Sequence, residues 1–227
     1  MGSIVSPVGS SPLPPVIVIG FVGGFVSHDD AAHSVVQLAA HLRKDYPSGV
    51  DVEVFENHHG QMALRKVLRL LDTNHDGVLT AAEKQDGRII IFGHSWGASE
   101  TVELAKKLDG DGIPVLLTIQ VDSIRKSGEV DTLIPANVAE AANFYQPNGL
   151  LHGESSIRAA DPSRTRIIGN YRFNYETNPI RCNGYPWYDR VFMKNHTEIE
   201  CDPRVWAQVE SLIRSKLPPL TPNVSAR

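Results

Sequence analysis

Residues 88–98 read Arg88-Ile89-Ile90-Ile91-Phe92-Gly93-His94-Ser95-Trp96-Gly97-Ala98. The apolar run Ile89–Phe92 has the length and β-branched content of a strand buried on both faces. It stops at Gly93-His94-Ser95-Trp96-Gly97, and Ala98–Leu108 then carries helical spacing. Strand, G-x-S-x-G and helix in direct succession predict a nucleophile elbow, a sharp turn that lifts the serine Oγ clear of the sheet. The glycines two places either side carry no side chain, so strand and helix backbones can pass closely. With glycine at roughly 7% of residues, the bare pattern would arise by accident in about one chain in ten of this length. The strand before and the helix after are what single out Ser95 as a candidate nucleophile. The helix N-terminus behind it also favours negative charge developing at the reacting centre.

The same alternation extends outward in both directions. Val16-Ile17-Val18-Ile19 is wholly apolar and ends at Gly20. Val50–Phe55 alternates as a strand, and Pro114–Val121 is another. Val138–Tyr145 contains a strand ending near Asn143-Phe144-Tyr145, and Arg166–Tyr175 is β-like. Helical spacing falls on Asp30–Asp45, capped by Asp29 or Asp30, on Gln61–Leu71 and on Pro203–Lys216. Strands alternating with helices predict an α/β chain with a doubly wound, mostly parallel sheet. One domain is expected over residues 16–217, between a flexible Gly/Ser/Pro leader at 1–15 and a Pro-rich tail at 218–227 expected to be disordered.

At 227 residues, 41% hydrophobic and 21% charged, the chain has the composition of an ordinary globular domain with a sizeable core. A net charge of -4 argues against nucleic acid or an anionic membrane surface as the main partner. No apolar run approaches the roughly 20 residues of a membrane span. Residues 1–15 show neither a basic n-region nor an apolar h-region. Two locations stay open: cytoplasmic, or secreted with Met1-Gly2-Ser3 standing in place of a removed signal. The two cysteines, Cys182 and Cys201, flank the segment where a catalytic base would sit, and a bridge between them is favoured over two free thiols. A monomer is favoured.

A serine hydroxyl needs a base to take its proton and an acid to orient that base. In elbow-type enzymes the chain order is Ser, then Asp or Glu, then His, which leaves His152 and His196 as bases. His196 is favoured, from a loop just before the last helix, and His152 reads as a strand-end histidine. His94, inside the elbow, reads as structural. Asp122 follows Val115–Val121 directly, so strand geometry projects it from the same sheet edge as Ser95. Asp161, in Ala160-Asp161-Pro162, is the runner-up, while Asp189 and Glu198 lie too close to His196 in sequence. Two backbone amides should hold the oxyanion. Trp96 supplies one, and Phe21 or Val22, in the loop Gly20-Phe21-Val22-Gly23-Gly24-Phe25, supplies the other.

With its Gly-His-Ser-Trp-Gly elbow, the chain resembles the lipase/esterase branch of the α/β-hydrolase superfamily over roughly Val16 to Lys216. The resemblance implies hydrolysis of acyl esters through an acyl-enzyme, on a small-molecule or lipid ester. It implies a compact version of that fold, similar to cutinase-sized enzymes, without a large cap domain. Placing the acid after the strand that follows the elbow strand is similar to the arrangement in pancreatic-type lipases. Tyr175, Tyr185, Trp187 and Tyr188 are candidates to line an acyl groove. An acyltransferase or thioesterase using the same three residues, or a non-catalytic calcium-dependent binding module on this fold, are the rival readings.

A second motif lies just before the elbow strand. Asp72-Thr73-Asn74-His75-Asp76-Gly77-Val78-Leu79-Thr80-Ala81-Ala82-Glu83 matches the twelve-residue EF-hand loop. Asp72, Asn74 and Asp76 occupy positions 1, 3 and 5, Gly77 the turn at 6, the Val78 carbonyl 7, Thr80 position 9 and Glu83 position 12. Hard oxygens at this spacing suit Ca²⁺. The exit helix is barely a turn and there is no second EF-hand, so the expected role is a structural ion, not a sensor.

Overall fold

The protein is described by a computed structural model over residues 16–220. The expected leader, 1–15, lies outside the described residues, as does all of the expected tail beyond residue 220. The elements run β1 (Val16–Val22), α1 (Ser34–Asp45), β2 (Val50–Glu56), α2 (Gly60–Leu71), α3 (Ala81–Asp86), β3 (Arg88–His94), α4 (Trp96–Gly110) and β4 (Val115–Val121). They continue with β5 (Leu133–Ile134), β6 (Val138–Tyr145), β7 (Arg158–Ala159), β8 (Arg166–Arg172), α5 (Trp187–Phe192), α6 (Lys194–Cys201) and α7 (Pro203–Arg214).

Six strands form one sheet in the order β2-β1-β3-β4-β6-β8, and every pairing is parallel. The two-residue strands β5 and β7 pair separately. Parallel strands buried on both faces must present apolar side chains to both, and β1 and β3 do so. Val16, Val18, Ile90 and Phe92 pack with α1 and α7 on one face. Ile17, Ile19, Phe21, Ile89 and Ile91 pack with α2 and α4 on the other. The sheet is therefore doubly wound and compact, with no large cap among the described residues. The chain runs outward from β1 to β2, then returns to β3 on β1's other side. The crevice at the carboxyl ends of β1 and β3 is where such a sheet presents a site.

Three expectations need correction. α1 begins at Ser34 with His33 as its N-cap, because Asp30 is spent upstream, accepting from the Ala32 N–H at 3.0 Å. Asp29 is spent likewise, accepting from Ser27 Oγ at 2.6 Å. The segment before the last helix is not a plain loop, since His196 lies in the short helix α6. Tyr175 and Tyr185 are core residues: Tyr175 is 1% exposed, its hydroxyl donates to Asp202 at 2.9 Å, and both phenols are pushed up by burial. Trp187 and Tyr188, by contrast, are exposed on α5. Among the described residues, no helix is long and apolar enough to cross a membrane.

Candidate active site

Ser95 stands at the carboxyl end of β3 with φ 57° and ψ -127°, a conformation that costs a non-glycine residue free energy. The surroundings impose it. Its N–H donates to the Val121 carbonyl at 3.0 Å, and its carbonyl accepts from Ile124 at 3.2 Å. The elbow glycines have the steric reason expected of them. A Cβ on Gly93 would lie 2.5 Å from the Gly97 carbonyl oxygen, and one on Gly97 would collide with the Phe21 carbonyl. Ser95 is 7% exposed, and its Oγ makes no side-chain hydrogen bond among the described residues.

Asp122, the first residue past β4, also has positive φ, 45°. It is fully buried, which a carboxylate tolerates only when its lone pairs are filled. They are: Oδ1 accepts from the N–H of Gly153 at 2.8 Å and of Gln146 at 3.2 Å. Oδ2 accepts from Gln146 Nε2 at 2.9 Å and lies 2.7 Å from His196 Nδ1. An ionised carboxylate only accepts, so Nδ1 carries the proton and Nε2 is left free to face a nucleophile. Gly153 must be small for this, since a Cβ there would sit 2.7 Å from the Asp122 backbone.

The structure thus brings Asp122 and His196 into contact and sets His196 beside the elbow, its ring 4.6 Å from that of His94. Asp161 is half-buried at the start of a turn, accepting from Ser163, and is not at this site. Glu198 accepts from the Ile180 N–H and burial raises its carboxyl. His152 neighbours Gly153 but reaches only the Gly153 carbonyl, at 3.4 Å.

Of the amides expected at an oxyanion, Trp96 is the first residue of α4, so its N–H has no acceptor within the helix. Phe21 lies inside the ladder, opposite Phe55 of β2 and Gly93 of β3, so whichever way its amide points, a strand faces it. This removes Phe21 from the expected pair. Val22 is the last residue of β1 and has a register partner on the β2 side only. The next residue, Gly23, lies against Ser95, where a Cβ would meet the Ser95 Cβ at 2.7 Å.

Sequence reasoning missed the residues behind this contact. Glu200, one helical turn beyond His196, is buried with Oε1 2.6 Å from His33 Nδ1 and Oε2 3.5 Å from His94 Nδ1. Burial pushes this carboxyl up, but the imidazoles, His94 first and His33 next, outweigh burial and hold it below the usual range. Burial also pushes His33 down, yet its hydrogen bond to Glu200 wins and leaves it raised. Burial outweighs the Glu200 carboxylate at His94 and, with the neighbouring imidazoles, pushes it down to about 4. Gln146 was likewise unread. The available signal for Glu200 was its i+4 spacing from the candidate base, which places both on one helix face.

A cleft of about 290 Å³ is lined by Leu150, Leu151, Val191, Phe192 and Met193, together with Lys194 and Asn195, the two residues of α6 that precede His196. Phe25 and Trp96 meet edge to face at 5.9 Å. Cys182 and Cys201 form a disulfide that encloses α5 and α6.

In the 72–83 loop, His75 and Gly77 take positive φ, 60° and 81°. Asp72 accepts from the amides of Asp76 and Gly77, and Asp76 Oδ1 accepts from Val78 at 2.8 Å. Glu83 caps α3 instead, both oxygens accepting from Thr73 and Thr80, and these bonds, Thr80's first, lower it to about 2. Among the described residues, no three His, Cys, Asp or Glu side chains are gathered closely enough to share a metal. The donor set is nonetheless all oxygen, as Ca²⁺ requires.

No protein-family model matches the chain, and no curated protein matches it in sequence. Solved structures similar to it include a cutinase-like protein from Cryptococcus sp., at 14% identity and TM-score 0.46 over 91% of this chain and 97% of that one. Human thioesterase 2 is similar at 10% identity and TM-score 0.47, over 88% and 95% of the two chains. An acetyl xylan esterase is similar at 10% identity and TM-score 0.42, over 90% and 99%.

Proposed function

We propose that this chain is a serine hydrolase that cleaves carboxylic esters through an acyl-enzyme. The observation that carries the reading is Ser95 held at φ 57° at the carboxyl end of β3, with His196 packed against the elbow residue His94 and its Nδ1 2.7 Å from a buried carboxylate. In this reading His196 Nε2 takes the Ser95 hydroxyl proton as Oγ bonds to the ester carbonyl carbon. The amides of Trp96 and Val22 stabilise the resulting oxyanion, and Asp122 stabilises the imidazolium. His196 then protonates the leaving alcohol as the C–O bond breaks. A water, deprotonated by the same nitrogen, releases the acid and restores Ser95. The apolar wall from Leu150 to Met193 would take the hydrophobic part of the ester.

The test is labelling by a fluorophosphonate probe together with hydrolysis of p-nitrophenyl acyl esters. The wild type is expected to label and turn over, and Ser95→Ala to do neither while keeping the same thermal unfolding. A folded wild type that never labels would sink the reading.

We also infer that the 72–83 loop binds one Ca²⁺ through Asp72, Asn74, Asp76, the Val78 carbonyl, Thr80 and Glu83. Its support is the residue pattern and the two left-handed turns at His75 and Gly77. Binding would require Glu83 to exchange its cap on α3 for the ion. Its role would be structural, because the loop leads through α3 directly into β3. Calorimetry with Ca²⁺ is expected to give one site, lost in Glu83→Gln, and chelator is expected to lower Tm. No heat and an unmoved Tm would remove the site.

A further inference from the structure

The cluster behind the base has no task in the mechanism above, yet it is costly to build. Glu200 sits in the core with 7% exposure, and burying an ionised carboxylate is unfavourable unless it is paired. It faces His33 at the start of α1, His94 at the end of β3 and, on its own helix, His196. Asp30 lies 3.8 Å from His33 Nε2, the Tyr185 ring packs edge-on to His33 at 5.1 Å, and Asp189 of α5 and Asp122 just past β4 complete the charged surround. The Glu200 backbone is pinned too: its carbonyl accepts from Ser34 Oγ at 2.7 Å and from Trp206 Nε1 at 2.5 Å. His94 is held between this carboxylate and the His196 ring, its Nε2 buried with no hydrogen-bond partner among the described residues. Three elements that must keep register for Ser95 to react, namely the β1–α1 connection, the elbow and the base helix, converge on this one side chain.

We propose that Glu200 is a positioning residue for His196: braced by His33, its carboxylate seats the His94 ring against the His196 ring and sets the charge beside the base. The inference rests on the serine-hydrolase reading for its consequence in catalysis. The charges give it a signature that simple packing lacks. Removing the Glu200 anion makes an imidazolium at His196 less favourable, whereas removing His33, whose Nδ1 lies 2.6 Å from Glu200 and offsets that charge, makes it more favourable. The two substitutions therefore act in opposite directions on one titration.

The experiment is an NMR titration of the His196 ring in wild type, Glu200→Gln and His33→Asn, with pH–rate profiles on the same proteins. In Glu200→Gln the His196 midpoint and the acid limb of kcat/KM should move to lower pH. There kcat should fall roughly 10-fold, short of the ~100-fold that a 1 Å misplacement costs. KM should stay within about twofold, because the lost interaction acts on the transition state rather than on substrate binding. In His33→Asn the midpoint and the limb should move to higher pH. Midpoints that stay put, or move the same way in both variants, overturn the proposal. If Glu200→Gln does not fold, His33→Asn decides alone, and an unmoved midpoint overturns it. Because the titration needs no turnover, a wild type that fails to label with fluorophosphonate would count against the hydrolase reading and leave this result separate.

Discussion

Ser95 lies between β3 and α4, where His94, Gly97, Ala98, Ser99 and Glu100 are all buried, whereas His196 rides a stretch whose helix α5 buries none of its six residues. The first region gets its geometry from the sheet. Ser95 is strained, but the ladders to β1 and β4 and two close-packed glycines over-determine the turn, so the strain can persist. The second region has less apolar burial to hold it, since of the five buried residues of α6 only Ile199 is apolar. α6 is eight residues long, its N-cap makes no side-chain hydrogen bond, and what fixes it are polar and covalent ties. These are Asp122 to His196, Glu200 to His33, and the Cys182–Cys201 bridge. Rigid strand ends can place Ser95 and Asp122 unaided, while His196, on a less regular segment, must be tied to them from outside.

The strongest way to break this contrast is at the tie between the two regions. Asp122 belongs to the sheet and His196 to the looser stretch. Asp122→Asn keeps the volume but offers an amide that can donate where the carboxylate accepted. His196 then loses the acceptor that fixes its tautomer, and kcat should fall about 10⁴-fold. KM for a p-nitrophenyl ester should change little, because the lost interaction serves the transition state. Retention of kcat within tenfold would mean the base is positioned by the Glu200 side alone, and that the sheet does not govern the second region.

The same contrast explains what could be read from the sequence. The elbow was legible because a buried strand, two glycines and a helix are local and contiguous, and Asp122 was legible because a strand end fixes direction. His196 could be chosen by chain order, but not its helix: Lys-Asn-His-Thr-Glu-Ile-Glu-Cys has no apolar period, and tertiary partners make it helical. α5 was invisible for a related reason, since Trp-Tyr-Asp-Arg-Val-Phe opens on Pro186 without a side-chain cap and has no buried face. Tyr175 illustrates the converse error. An aromatic in an irregular stretch reads equally as groove or core, and only Asp202, 27 residues away, settles its side. Glu200, His33 and Gln146 meet their partners across the chain, so no window of sequence contains the interaction.

The smaller effect is at the disulfide, and here the two regions should separate cleanly. Cys182 and Cys201 are 19 residues apart, and a loop of that size contributes about 3 kcal/mol by the chain-entropy estimate. If the 182–201 stretch is held by its ties rather than by a core, Cys182→Ser with Cys201→Ser should loosen that stretch alone. Hydrogen exchange of the α6 amides is expected to speed up by roughly 100-fold, while those of β3 and α4 keep their protection. On the proposed reading fluorophosphonate labelling should slow in parallel, because Ser95 stays in place but His196 is in place only part of the time. Equal loss of protection in both regions would show a single cooperative unit, in which case the bridge stabilises the whole domain and the division between strand-built nucleophile and tied base does not hold.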